Sequence, residues 1–354
     1  MRKRGVIKNG KRFPWVFAVV ILAIAAGGVV YRRWQESGFD WHQFAAIFSQ
    51  MNWFWILITA LLNLATYAGR TVRWAVMLRP LKVRPNYWNL FKATAIGFTA
   101  MILFGRPGEL VRPYLVAAKE GVSFSSQMAA WFLERIYDLL AVALIFGLGL
   151  SQVRVTDAKL GPGLSWVLST GGYVMAAIAA GCLLALSVFH RFYGLLQERA
   201  TAVLSVLAEG PRLRAECILN AFLEGTKTSR DSKAVLNLVL CTSLVWLAII
   251  LGFLAVFQAF PATSGFSFME VLILLGFVAF GGVVQIPGVG GGMQIATIIV
   301  LTEIFRLPLE PATGIAIVFW ALNAAIIVPL GLSLALAEGL NWHSLRQIKD
   351  IEKP

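Results

Sequence analysis

The sequence predicts an all-α polytopic membrane protein, with about six full spans and two re-entrant broken-helix hairpins. Three observations lead there. Hydrophobic residues make up 58% of the 354-residue chain and charged residues only 14%, where a soluble domain carries roughly 25% charge. The apolar residues come in blocks of about 20, the length that crosses a bilayer as a helix. Two of the apolar stretches are cut by Pro-Gly runs that a continuous helix does not tolerate. The net charge of +13 would suit a nucleic-acid binder, but a chain this apolar is not one. The same composition excludes a disordered basic tail protein.

The elements follow in order. Residues 1–12 hold six basic residues and no acid, a cytoplasmic N-terminus. The block Phe13–Tyr31 reads as a retained first span rather than a signal peptide, because Arg32-Arg33-Trp34 closes it like an anchored helix end. Further apolar segments run over Trp53–Leu78, Trp88–Phe104, Ala130–Leu150, Trp166–Phe189, Ala234–Phe260, Phe268–Ile286, Met293–Phe305 and Thr313–Leu336. The third breaks at Gly105-Arg106-Pro107-Gly108. The pair from Phe268 to Phe305 breaks at Pro287–Gly292. Irregular backbone at membrane depth is tolerated only when buried in protein or lining a wet cavity. Residues 13–336 therefore form one transmembrane domain. Within it, 190–233 is a cytoplasmic amphipathic loop predicted as two surface helices, and 337–354 is a cytoplasmic tail.

Charge supports this topology. With six spans and both termini inside, the inner segments carry 19 basic residues and the outer loops 5, the asymmetry the positive-inside rule demands. The first hairpin then opens inward and the second outward, an arrangement known from transporters with a midplane site. Trp15, Trp34, Trp53, Trp74, Trp88 and Trp166 fall near span ends, as an interfacial belt would. Asp40-Trp41-His42-Gln43-Phe44 reads as an outer surface helix.

The chemistry concentrates between Gly105 and Asp138. Arg106, Glu109 and Arg112 recur at steps of three, close to one helix face. Glu134, Arg135 and Asp138 lie in the next apolar helix, with Glu134 and Asp138 four apart on one face. Facing lipid, these six would cost about 18 kcal/mol on insertion scales, so they pair, face water or sit at a shallower depth. Two readings stay open: a pocket for a lipid head group, where Arg offers a fork suited to phosphate, or a structural salt-bridge cluster. Arg70 and Arg73 would add positive charge to the pocket or anchor the inner end of their span. Around the second break, free backbone groups and a helix starting near Met293 would favour an anion; close packing of a turn is the alternative. No Lys-Ser/Thr follows the glycines, so this is not a nucleotide loop. Cys182, Cys217 and Cys241 imply no disulfide framework. The scattered histidines imply no metal site, and no cofactor is expected.

The blocks Gly69-Arg70-Thr71-Val72-Arg73-Trp74, Gly105–Tyr114 (GRPGELVRPY), Glu134-Arg135-Ile136-Tyr137-Asp138 and Ile286–Gly292 (IPGVGGG) appear in an order that resembles the membrane region of lysylphosphatidylglycerol synthases. The resemblance covers nearly the whole chain. It implies a multi-pass protein of a bacterial cytoplasmic membrane that moves a lipid between leaflets: an anionic or aminoacylated phospholipid, or a lipid-linked intermediate. Arg70, Arg73, Arg106, Glu109, Arg112, Glu134, Arg135 and Asp138 would then handle the head group. Gly105, Pro107, Gly108, Pro287, Gly288, Gly290, Gly291, Gly292 and Gln294 would form the breaks lining the pocket. The implied partners are a membrane lipid as substrate and a lipid-synthesis enzyme, with no nucleic acid; a homodimer is compatible. The alternative is an intramembrane enzyme, or an accessory subunit of one, in polyprenyl, hopanoid or phospholipid metabolism. The chain ends about 18 residues after its last span, without the aminoacyl-transfer domain of the synthases. Gln294 also stands where the family commonly has Glu.

Overall fold

The computed structural model describes residues 39–152, 162–191, 209–226, 231–282 and 285–339. The first predicted span, the basic N-terminus and most of the tail lie outside these residues, as does the first of the two predicted loop helices. Asp40 caps α1 (Trp41–Ser49), its carboxylate accepting from the backbone N–H groups of His42 and Gln43. Those bonds, from Gln43 and then His42, hold the Asp40 carboxyl below the ordinary carboxylate range. Asn52 caps α2 (Trp53–Leu78), and the junction of α1 with α2 bends by 77°. Asn86 caps α3 (Tyr87–Phe104), which ends at Gly105 with φ 71°. A 3-10 turn, Arg106–Leu110, reverses the chain into α4 (Val111–Glu120), which stops at the left-handed Gly121.

The long α5 (Phe124–Gln152) and α6 (Pro162–Arg191) follow, then α7 (Glu209–Gly225). The Ser125 hydroxyl at the start of α5 donates to the Ile218 carbonyl of α7 at 2.8 Å, tying the loop helix to the bundle. Asp231 caps α8 (Ser232–Ala259). A capping box of Ser267 and Glu270 opens α9 (Phe268–Gly281). Two short antiparallel strands, β1 (Gln285–Ile286) and β2 (Gly290–Gly291), form the second break. The chain returns through α10 (Gly292–Ile299), whose last turn widens to a π-helix at Val300–Ile304. Finally α11 runs from Leu309 to Ala337.

Among the described residues, three helices are long and apolar enough to cross a membrane: part of α6 (Thr170–Val188), α8 and α11. The bent α1–α2 pair makes a fourth if it is counted as one span. The 29-residue α5 has the length, about 43 Å, but carries Glu134, Arg135 and Asp138 in its middle. Both predicted breaks are real interruptions, and each separates helices too short to cross fully, apart from α3.

The helices α2 and α8 lie antiparallel. Asn52 N–H donates to the Ala259 carbonyl at 2.8 Å at one end, and Arg73 reaches Thr242 towards the other. Two apolar cores sit at the two ends of this pair. One gathers Phe257, Phe260, Leu272, Leu274 and Phe319; the other gathers Trp74, Met77, Leu90, Leu133 and Leu238. Between them lies the polar layer. Trp53 and Trp88 are exposed as a belt requires, but Trp74 is wholly buried. It stacks under the Arg112 guanidinium at 4.0 Å and donates its indole N–H to Gln127 at 2.9 Å, so its role is in the core.

The three helix ends at one side are stapled by Glu338, which pairs with Lys92 of α3 at 3.1 Å and with Lys119 of α4. Burial opposes its charge, but hydrogen bonds from Lys119 and Lys92 outweigh it and hold the carboxyl below the ordinary glutamate range. A depressed folded-state pKa stabilises above the unfolded value and is lost as pH falls through the folded one. Thermal midpoints in detergent should therefore drop on acidification below the ordinary glutamate range, and Glu338→Gln should flatten that part of the profile. The pair is partly exposed, so the cost at neutral pH should stay at or below about 1 kcal/mol.

Candidate functional site

The ionisable residues divide into three groups rather than one. At the centre, Arg73 of α2 is fully buried. Its fork takes both oxygens of Asp138, at 2.7 and 3.2 Å, pairs with Glu134 and donates to the Thr242 hydroxyl at 3.2 Å. The four-residue spacing in α5 puts both carboxylates on the face that meets α2, as expected from the sequence. Arg112 of α4 reaches Glu134 at 3.0 Å and donates to the Arg70 carbonyl at 3.0 Å. α2, α4, α5 and α8 are thus locked by one network.

Arg106 and Glu109 form a second group. They pair with each other at 2.5 Å, and Arg106 also donates to the Gly282 carbonyl at 2.7 Å. Arg106 turns to Glu109 and Gly282 while Arg112 turns to Glu134, so the three do not form one ion-pair cluster, although Glu109 and Arg112 still line one cleft. Arg135 is half-buried beside Trp131, lining a small cleft with Glu109, Arg112 and Phe98.

Arg70 is the third group. Its guanidinium lies 4.9 Å over the Phe98 ring and makes no ion pair or hydrogen bond with any described residue. It lines a cavity of about 340 Å³ between α2, α3, α8, α9, α10 and α11. Most of the wall is apolar, including Ile249, Phe253, Val256 and Phe319. The polar side chains come mainly from one stripe of α2: Thr59, Asn63, Thr66, Tyr67 and Arg70. Steps of four and three keep them on one face. Gln285, Gln294 and, from α11, Asn323 add to these, Asn323 accepting from the Tyr67 hydroxyl at 2.7 Å. Trp246 joins cavity and network: it lines the former, and its indole N–H donates to Asp138 at 3.2 Å.

The two breaks meet. Gly288 N–H donates to the Ile102 carbonyl at 2.9 Å, and a Cβ on Gly105 would stand 3.3 Å from Pro287. Of the glycine-break residues, Gly290 and Gln294 line the cavity. Gly105 and Pro287 form the junction beside it, and Pro107, Gly108, Gly288, Gly291 and Gly292 shape the turns without lining it. The first turn of α10 does face the cavity, through Met293 and Gln294.

Gln294 explains its own presence. Its carbonyl accepts from Gly291 N–H at 2.7 Å, while its amide donates to the Val289 carbonyl at 2.9 Å. A glutamate could accept the first bond but would need a proton to make the second. A neutral amide holds the hairpin at any pH.

Arg73, Glu134 and Asp138 belong to the buried lock and do not line the cavity. Arg70, Gly290 and Gln294 do. Sequence reasoning missed Asn63, Tyr67 and Asn323, although the signal was there: a heptad-spaced polar stripe in a span, and a lone Asn in an otherwise apolar helix.

A family model described as lysylphosphatidylglycerol synthase TM region matches residues 15–331. Glycosyltransferase AglD of Haloferax volcanii is 29% identical over 117 residues, 33% of this chain and 18% of that protein. The chain thus spans less than a fifth of this relative's length. No solved structure matches. With three to four candidate spans among the described residues, two meeting breaks and a family match over most of its length, this membrane protein belongs to the lysylphosphatidylglycerol synthase transmembrane-region family.

Proposed function

We propose that the protein moves an anionic lipid between leaflets. In this reading it has six full spans and two re-entrant hairpins in a bacterial cytoplasmic membrane, both termini cytoplasmic. The observation that carries it is the Arg70 cavity: apolar walls, a cation unclaimed by the lock behind it, and a position where the two broken segments touch. A head group would seat at Arg70 while the tails stay in the bilayer. The hairpins, which meet through the Gly105–Pro287 contact, the Gly288–Ile102 hydrogen bond and the Arg106–Gly282 bond among others, are the elements that would part to pass it. Arg73, Arg112, Glu134 and Asp138 serve as the rigid support beneath. A lipid-synthesis enzyme remains the partner proposed for the substrate's supply.

Leaflet exchange in liposomes tests this. Purified protein should accelerate exchange of a labelled anionic phospholipid, and Arg70→Gln should slow it about tenfold or more, taking one charge-assisted contact as ~1.5–3 kcal/mol. No exchange of any lipid, with a chemically altered lipid recovered instead, would favour the enzyme reading. Against that reading, the carboxylates that an acid/base mechanism would use, Glu109, Glu134 and Asp138, are all engaged by guanidinium groups.

A further inference from the structure

The cavity has a cation and no anion. Among the described residues, none of those lining it is Asp or Glu. The carboxylates around it do not line it and are committed: Glu134 to Arg73 and Arg112, Asp138 to Arg73 and Trp246, and Glu109, in the adjoining cleft, to Arg106. What the cavity offers beside Arg70 is uncharged. The Asn63 side chain, two helical turns or about 10 Å along α2, makes no hydrogen bond with any described residue, and it lines the cavity. Asn323 spends its oxygen on Tyr67 and keeps its amide hydrogens. Trp246 and Trp320 add aromatic surface.

We infer that this cavity selects a phosphodiester lipid whose head group bears hydroxyls and no second charge, and rejects an aminoacylated one. The inference rests on the reading of the cavity as a head-group site. A single guanidinium matches one phosphate charge. Free amides pair with hydroxyls as donor and acceptor, and aromatic faces suit the apolar side of a polyol or sugar. A lysyl head would bring ammonium groups next to Arg70 with no carboxylate to receive them. Like charges at low dielectric repel strongly, so the missing carboxylate discriminates against such a lipid. A volume of about 340 Å³ lies at the lower end of the ~300–1,000 Å³ usual for small-molecule sites. That is room for one glycerol- or hexose-sized head with tails outside.

Two sources share this chemistry, a phosphatidyl polyol and a polyprenyl phosphosugar. Equilibrium binding to the full chain in nanodiscs, read by intrinsic tryptophan fluorescence, separates them. The probes are phosphatidylglycerol, a short-chain polyprenyl phosphoglucose and lysyl-phosphatidylglycerol. At least one phosphodiester should bind about tenfold or more tightly over lysyl-phosphatidylglycerol, and the tighter of the two names the source. Asn63→Asp, which supplies the missing carboxylate, should narrow or reverse that gap. Lysyl-phosphatidylglycerol binding as tightly as both phosphodiesters, or an Asn63→Asp protein that binds with unchanged selectivity, overturns the inference. Because binding needs no exchange, a protein inert in the leaflet assay that keeps this selectivity would sink translocation alone. Exchange of lysyl-phosphatidylglycerol as fast as phosphatidylglycerol, with equal binding, would sink the selectivity alone.

Discussion

Arg73→Met is expected to leave little folded protein in detergent. The guanidinium is fully buried and bridges three helices, to Glu134 and Asp138 of α5 and Thr242 of α8. Removing it leaves two carboxylates at membrane depth with, among the described residues, Arg112 and the Trp246 indole as their remaining side-chain partners. Breaking one side of a buried ion pair costs about 3–5 kcal/mol, because the partner's charge stays desolvated. Against a total stability of about 5–15 kcal/mol, that is a large share. Arg73→Lys keeps the charge but not the fork that spans Asp138, so it should recover only part of the loss. Thermal unfolding followed by tryptophan fluorescence, together with size-exclusion homogeneity, reads the effect. An Arg73→Met protein melting within a degree or two of wild type would show that the network contributes little. The contrast with Arg70→Gln matters. Arg70 has no ion pair to lose, so its substitution should spare the melt while slowing exchange.

That contrast was only half legible in the sequence. Periodicity and Pro-Gly punctuation located both breaks and nearly every helix, because bilayer length and backbone chemistry constrain one dimension strongly. The partnership of Glu134 with Asp138 followed from their spacing on one helix. Which arginine they would hold did not, since Arg73 and Arg112 reach them from other elements, 61 and 22 residues away. Counted within 106–138, the charges cancel. In space, Arg106 and Glu109 leave the set while Arg70 and Arg73 enter it, and an unpaired guanidinium emerges. The Thr59–Arg70 stripe is legible as polar residues at helical spacing, but uncharged Thr, Asn and Tyr barely lower the hydropathy of a span. Trp74 differs for a related reason: hydropathy puts it at a span end, whereas Arg112 of α4, Gln127 of α5 and the apolar cluster around them bury it.

The second large effect is expected at Gly281, which looks dispensable because it sits in ordinary helical backbone near the end of α9. A Cβ there would run into the Gly292 carbonyl and stand 2.7 Å from Ala296 Cβ. α9 and α10 touch at that point, and the obstacle is backbone, which cannot rotate out of the way. Gly281→Val should therefore push the two half-helices apart, at an overpacking cost of about 1–3 kcal/mol or more. The same shift moves Gly290, Met293 and Gln294, which form one wall of the cavity. Leaflet exchange should fall at least about tenfold, with helical circular dichroism retained. Gly288→Ala is the matched control. Its φ of 74° is unfavourable for an L residue, but nothing lies within 4 Å of the added carbon. It should cost only about 1–2 kcal/mol and leave the α9–α10 contact intact. If the two variants lose exchange equally, strain in the hairpin tip and not the approach of the half-helices governs the cavity. If Gly281→Val exchanges lipid normally, the wall formed by α10 has no part in passage.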